Sequence, residues 1–119
     1  MLVAHSPVVS PVGWLTITPL DGRTGLRLTG EADALTLPAL RRAAAALPPD
    51  AREIHLQLAS LEFVDVAAAR FLVSLTERPS QPELVLHYPP PSLIRLIRLL
   101  WPAALARCSV HSARSDQRK

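Results

Sequence analysis

Apolar residues recur at every second position in some stretches of the chain and at helical spacing in others. Leu15 and Ile17 alternate with Thr16 and Thr18, which predicts a strand over residues 14–18. Asp21-Gly22 is a hairpin-type turn, with Gly25 close behind it. Leu26 and Leu28 share one face of a second strand over 26–29, and Gly30 is expected to end it. Glu31-Ala32-Asp33 reads as a polar connection to a helix that begins near Thr36. Pro38 fits the first turn of that helix, where its missing N–H leaves no bond unmade. Leu37, Leu40, Ala44 and Leu47 form its apolar stripe, and Pro48-Pro49-Asp50 stops it.

Ile54, Leu56 and Leu58 alternate with His55 and Gln57, a strand with one apolar face. Phe63 and Val64 follow it, and Asp65 is placed to cap a second helix over 66–76. Residues 84–86 give a fourth strand. Ser92 is positioned to cap a third helix running to Trp101, with Leu93, Leu96, Ile97 and Leu100 on its apolar side. Residues 103–110 have no clear pattern. The boundaries are a flexible lead-in at 1–13, one domain over 14–110 and a disordered basic tail at 111–119. The order predicts an α/β fold with a mixed four- to five-stranded sheet. It has an N-terminal hairpin and about three packed helices. Strands joined through a helix are expected to pair in parallel, by right-handed crossovers.

The chain has 119 residues, enough for one domain with its own core. Hydrophobic residues make up 49% and aromatics 4%, so that core is built from Leu, Ile, Val and Ala. Cys108 is the single cysteine, so no disulfide can staple the fold, and it reads as a small apolar residue. The start of the chain lacks the pattern of a secretory leader. No stretch approaches the roughly 20 apolar residues of a membrane span. The expected location is the cytoplasm.

Charge is uneven. Arg95, Arg98, Arg107, Arg114, Arg118 and Lys119 stand against Asp116 near the C-terminus, while the net charge of the whole is +3. A basic end admits nucleic acid or an anionic surface as an alternative partner. The absence of aromatics from residues 102–119 makes nucleic acid the weaker reading.

Catalytic and cofactor patterns are missing. There is no phosphate-binding G-x-x-x-x-G-K-[ST], no G-x-G-x-x-G and no G-x-S-x-G. His5, His55, His87 and His111 are scattered without metal spacing, so neither a metal nor a cofactor is called for. Asp33 and Asp65 are conceivable as an acid pair of a hydrolase, but both fall at helix starts, where Asp serves as a cap. Both loops follow strands and should gather at one sheet edge, where partners and ligands meet open α/β sheets. The small residues Val66, Ala67, Ala68 and Ala69 after Asp65 would let another backbone come close.

Two segments resemble a known family. Leu28-Thr29-Gly30-Glu31-Ala32-Asp33-Ala34-Leu35-Thr36 resembles the strand–Gly-Glu-x-Asp–x-x-Thr opening of STAS domains. Phe63-Val64-Asp65-Val66-Ala67-Ala68-Ala69 resembles that family's Phe-Ile-Asp-Ser-Ser-Gly-Leu segment. STAS domains include bacterial anti-sigma-factor antagonists and the cytoplasmic domains of sulfate transporters. The resemblance implies a STAS-like domain that is not an enzyme. Its partner would be an anti-sigma factor that is also a serine kinase, or a related signalling protein. The partner surface it implies comprises Asp33, Thr36, Asp65, Val66, Ala67, Ala68 and Arg70.

In that family the kinase phosphorylates the second serine of Asp-Ser-Ser, which breaks the complex. Here the matching residue is Ala67, beside Val66, and neither has a hydroxyl. Ala68 replaces the family glycine, and Gln57 stands where an aspartate often ends the third strand. The resemblance therefore implies binding without the usual switch, with Thr36 and Ser60 as nearby hydroxyls. A scaffold role in a signalling assembly is the remaining alternative; a homodimer is compatible with the sequence, which does not decide whether the third helix would form it.

Overall fold

The computed structural model describes residues 7–112. Six strands form one sheet in sequence order: β1 (Val8–Val9), β2 (Leu15–Pro19), β3 (Gly25–Ala32), β4 (Glu53–Val64), β5 (Glu83–His87) and β6 (Cys108–His111). β1 pairs with β2 and β2 with β3 antiparallel, and β3 through β6 are parallel. The parallel strands are joined through α1 (Leu37–Ala45), α2 (Val66–Ser74) and α3 (Pro91–Leu100). Each crossover steps to the next strand in the same direction. With crossovers of one hand, all three helices fall on one face of the sheet.

Burial follows from that one-sidedness. Ile54, Leu56 and Leu58 of β4 are buried, with Leu26 and Leu28 of β3 and Leu84 and Leu86 of β5. They meet Leu40 and Ala44 of α1, Leu72 of α2 and Leu93 and Ile97 of α3 in one core. The alternate residues of β4, His55 and Gln57, are only partly covered. The opposite face of the sheet carries no helix, which is why its residues are polar.

The strand count is six, where four to five were expected. Val8–Val9 pairs with Ile17 and Thr16 inside the presumed lead-in. A two-residue strand is too short to show a period. β6 pairs with β5 through Cys108, Ser109, Val110 and His111. It is an edge strand with no fully buried residue, so its sequence lacks an apolar alternation. The C-terminal tail beyond Ser112 lies outside the described residues.

Gly30 does not end β3. It sits inside the strand at φ +113°, where the register with β4 shifts between Gly30 and Glu31. An ideal Cβ at Gly30 would stand 2.4 Å from the Trp14 carbonyl oxygen. The glycine thus admits a bulge and a close strand approach. β4 likewise runs on through Phe63 and Val64. Ser92 does not cap α3. The helix opens at Pro91, behind Pro90 in an extended conformation and without a side-chain cap. Proline at the first helical position supplies the right φ and removes a donor that would lack a partner. α2 is shorter than expected, ending at Ser74 before a 3-10 turn at Leu75–Glu77.

Candidate functional site

The C-terminal ends of β3 and β4 lie side by side, because Ala32 pairs with Val64. Each strand turns there into a helix, and Asp65 ties the two turns together. Its Oδ1 accepts from the Ala68 N–H at 2.9 Å, capping α2. Its Oδ2 accepts from the Ala34 N–H in the other turn at 3.0 Å. Its own N–H donates to the Ala32 carbonyl at 3.0 Å. One side chain and one backbone group thus fix two loops with respect to each other.

Asp33 and Thr36 organise the first turn. Asp33 Oδ1 accepts from the Thr36 N–H at 3.1 Å, and Thr36 Oγ1 accepts from the Asp33 N–H at 3.0 Å. The Thr36 hydroxyl lies 3.0 Å from the Glu31 carbonyl, its nearest acceptor. Thr36 is fully buried. This corrects the expectation that Thr36 touches a partner or offers its hydroxyl for modification: it is a loop staple. Ala68 is also fully buried, against the core, and does not belong to the surface expected of it. Ser60 is exposed on β4. Val66, Ala67 and Arg70 are exposed, and Asp33 and Asp65 are half-buried.

Around these turns the surface is apolar. Leu35 is 63% exposed, and Trp14, Phe63 and Val66 are each 50% exposed. Leu15 pairs with Gly30, the Glu31 N–H donates to the Trp14 carbonyl, and Glu31 pairs with Phe63. Trp14, just before β2, therefore stands in one row with Glu31 of β3 and Phe63 of β4, at the edge where the turns carrying Leu35 and Val66 begin. A collar of large apolar groups beside a polar frame is the usual mark of a protein contact surface. On the helix side, Ala67 and Arg70 border a hollow of about 190 Å³ with Arg41, Phe71 and Ser74. The Arg41 guanidinium lies 5.3 Å from the centre of the Phe71 ring, a cation–π distance.

Sequence reading missed Trp14, Leu35 and Phe63 as site residues. The signal was present. Phe63 stands one residue before the buried Val64 in β4, so it belongs to the uncovered side of a strand that runs further than its alternation at 54–58 predicts. The carboxylates do not form an acid pair. Both Asp65 oxygens and Asp33 Oδ1 are engaged by backbone N–H groups. Arg95 and Arg98 are exposed on α3, while Arg107 donates to the Gln81 carbonyl at 3.0 Å. Burial, with the nearby Glu83 carboxylate, pushes the Cys108 thiol above its ordinary pKa, so it is not an activated nucleophile. No helix among the described residues is long and apolar enough to cross a membrane.

A one-sided sheet whose strand-to-helix turns are tied by a single aspartate defines a small α/β domain. Residues 17–101 match the family model described as Mlab, STAS domain, and the chain belongs to the STAS domain family. Its structure is similar to that of the anti-sigma factor antagonist SpoIIAA in its unphosphorylated form. The TM-score is 0.60 at 14% identity, covering 87% of this chain and 92% of that one. At that identity the likeness establishes the fold. No curated protein sequence matches the chain significantly.

Proposed function

We propose that this domain is a non-enzymatic cytoplasmic regulator. It binds an anti-sigma factor, a serine-kinase-like protein or a related signalling partner through the edge formed by the β3–α1 and β4–α2 turns. The observation that carries this reading is the exposure of Leu35, Phe63 and Val66 around turns whose own polar groups are engaged within the fold. Such an edge has apolar area to bury, and the Asp65 carboxylate is used within the fold as a cap and a tie. Arg41 and Arg70 beside Ala67 suit a partner with an apolar centre and an acidic rim.

Ala67 lies in the exposed first turn of α2, and the resemblance of residues 63–69 to the Phe-Ile-Asp-Ser-Ser-Gly-Leu segment sets it at the position of the phosphorylated serine. Alanine has no oxygen to accept a phosphoryl group, so this surface stays in its binding form. Incubation with ATP and an anti-sigma-type serine kinase is expected to leave residues 65–69 unlabelled, as read by mass spectrometry of the tryptic peptides. Ala67→Glu places a negative charge where the partner docks and should weaken its binding at least about tenfold. Partner binding undiminished in Ala67→Glu would remove α2 from the interface.

A further inference from the structure

The uncovered face of the sheet carries a second polar constellation, toward the end where β3 and β4 begin. Thr18, Arg27, Gln57, His87 and His111 stand in one cross-strand row, fixed by the pairings of β2 through β6. The rings of His55 and His87 stack at 5.2 Å, and those of His87 and His111 at 5.3 Å. They do not converge as metal ligands: the described residues contain no group of three His, Cys, Asp or Glu side chains placed to hold an ion. Instead His55, at one end of the stack, holds an arginine. His55 Nε2 lies 3.1 Å from Glu53 Oε1. In the neutral ring that bond leaves Nδ1 with one lone pair, shared between His87 Nε2 at 2.9 Å and Arg23 Nη1 at 3.2 Å.

Arg23 comes from the β2–β3 hairpin, which can lie over β4 because Gly25 has no side chain. A Cβ there would stand 1.9 Å from the His55 carbonyl oxygen. The Nε and Nη2 hydrogens of Arg23 have no partner among the described residues, and Arg27 has neither a hydrogen bond nor an ion pair there. Both arginines line a cleft of about 500 Å³ with Gln57, His87 and Tyr88, against one carboxylate, Asp21. That volume falls in the range of small-molecule sites. Tyr88 sits in the wall at φ 54°, a left-handed backbone that a bulky residue rarely adopts.

We propose that this cleft binds a small phosphate-bearing anion, which Arg23 and Arg27 clamp from two sides. Guanidinium groups match phosphate oxygens in charge and in the spacing of their N–H groups. His55 orients Arg23 in advance, so less freedom is lost when the anion arrives. The site is at the opposite end of β3 and β4 from Asp33 and Asp65 and stands or falls independently of the partner surface.

The test is a titration of the whole chain with inorganic pyrophosphate, followed by amide chemical shifts at constant ionic strength. Saturable shifts are expected around Arg23, Arg27, Gln57 and Tyr88. Arg27→Ala, an exposed substitution, should weaken binding about tenfold, as should Arg23→Ala, while Arg95→Ala on α3 leaves it unchanged. Acetate at the same ionic strength should not compete. Shifts that never saturate, that spread equally to Arg95 and Arg98, or that acetate reproduces would overturn the proposal.

Discussion

Gly25→Ala is expected to cost about 4 kcal/mol or more, measured as the shift in urea-unfolding free energy. The reason is geometric. At Gly25 the backbones of β3 and β4 approach so closely that an added Cβ would overlap the carbonyl oxygen, carbon and nitrogen of His55. No side-chain rotation relieves a clash with backbone, so the two central strands must part. They hold the core residues Leu26, Leu28, Leu56 and Leu58, and separating them exposes all four. Gly22→Ala provides the contrast. Its φ is +79° but nothing lies near the added atom, so only turn strain of about 1 kcal/mol is expected. Equal losses at the two positions would show that the close approach at Gly25 is not what holds β3 to β4.

Asp65→Ala is expected to lower stability by about 2–3 kcal/mol. Loss of an N-terminal helix cap accounts for about 1 kcal/mol. Loss of the bond from Ala34 adds another of the charge-assisted kind, about 1.5 kcal/mol. In a domain of this size that lowers the melting temperature by roughly 10 °C. Asp33→Ala removes a bond within one turn only and should cost about 1 kcal/mol. The two variants differ in a second way. Only Asp65 bridges the turns, so only its removal should raise amide hydrogen exchange in both the Leu35 and Val66 segments. Protection unchanged at Leu35 in Asp65→Ala would mean that the turns are held by packing instead.

Much of the fold was legible because a one-sided sheet writes a clear code. Ile54, Leu56 and Leu58 must alternate with polar residues when helices cover one face alone. The cap at Asp65 was legible for a similar reason: an aspartate directly before a run of small helix-forming residues has one obvious local use. What escaped sequence reading depends on contacts between distant segments. Gly30 reads as a strand terminator, yet its role is to pass close to Trp14. Thr36 reads as a surface hydroxyl, and only the fold shows it buried beneath the turn that it staples. His55, His87 and His111 are 32 and 24 residues apart in sequence and become neighbours through the register of three parallel strands. Leu35 reads as an ordinary apolar residue, and its exposure is set by where helix α1 begins.

The proposed role of this edge as a protein-binding surface is tested most directly by capture from lysate of the source cell, comparing the natural chain with Val66→Asp. Each is first shown to be folded by circular dichroism, and the bound protein is identified by mass spectrometry. A bound protein is expected to survive washing at about 0.5 M salt, where exposed charge contacts are screened. Val66→Asp should reduce it at least about tenfold, and Arg27→Ala on the far end of the sheet should leave it unchanged. Equal capture by Val66→Asp, or recovery of only nucleic acid or lipid that salt removes, would contradict the proposed surface.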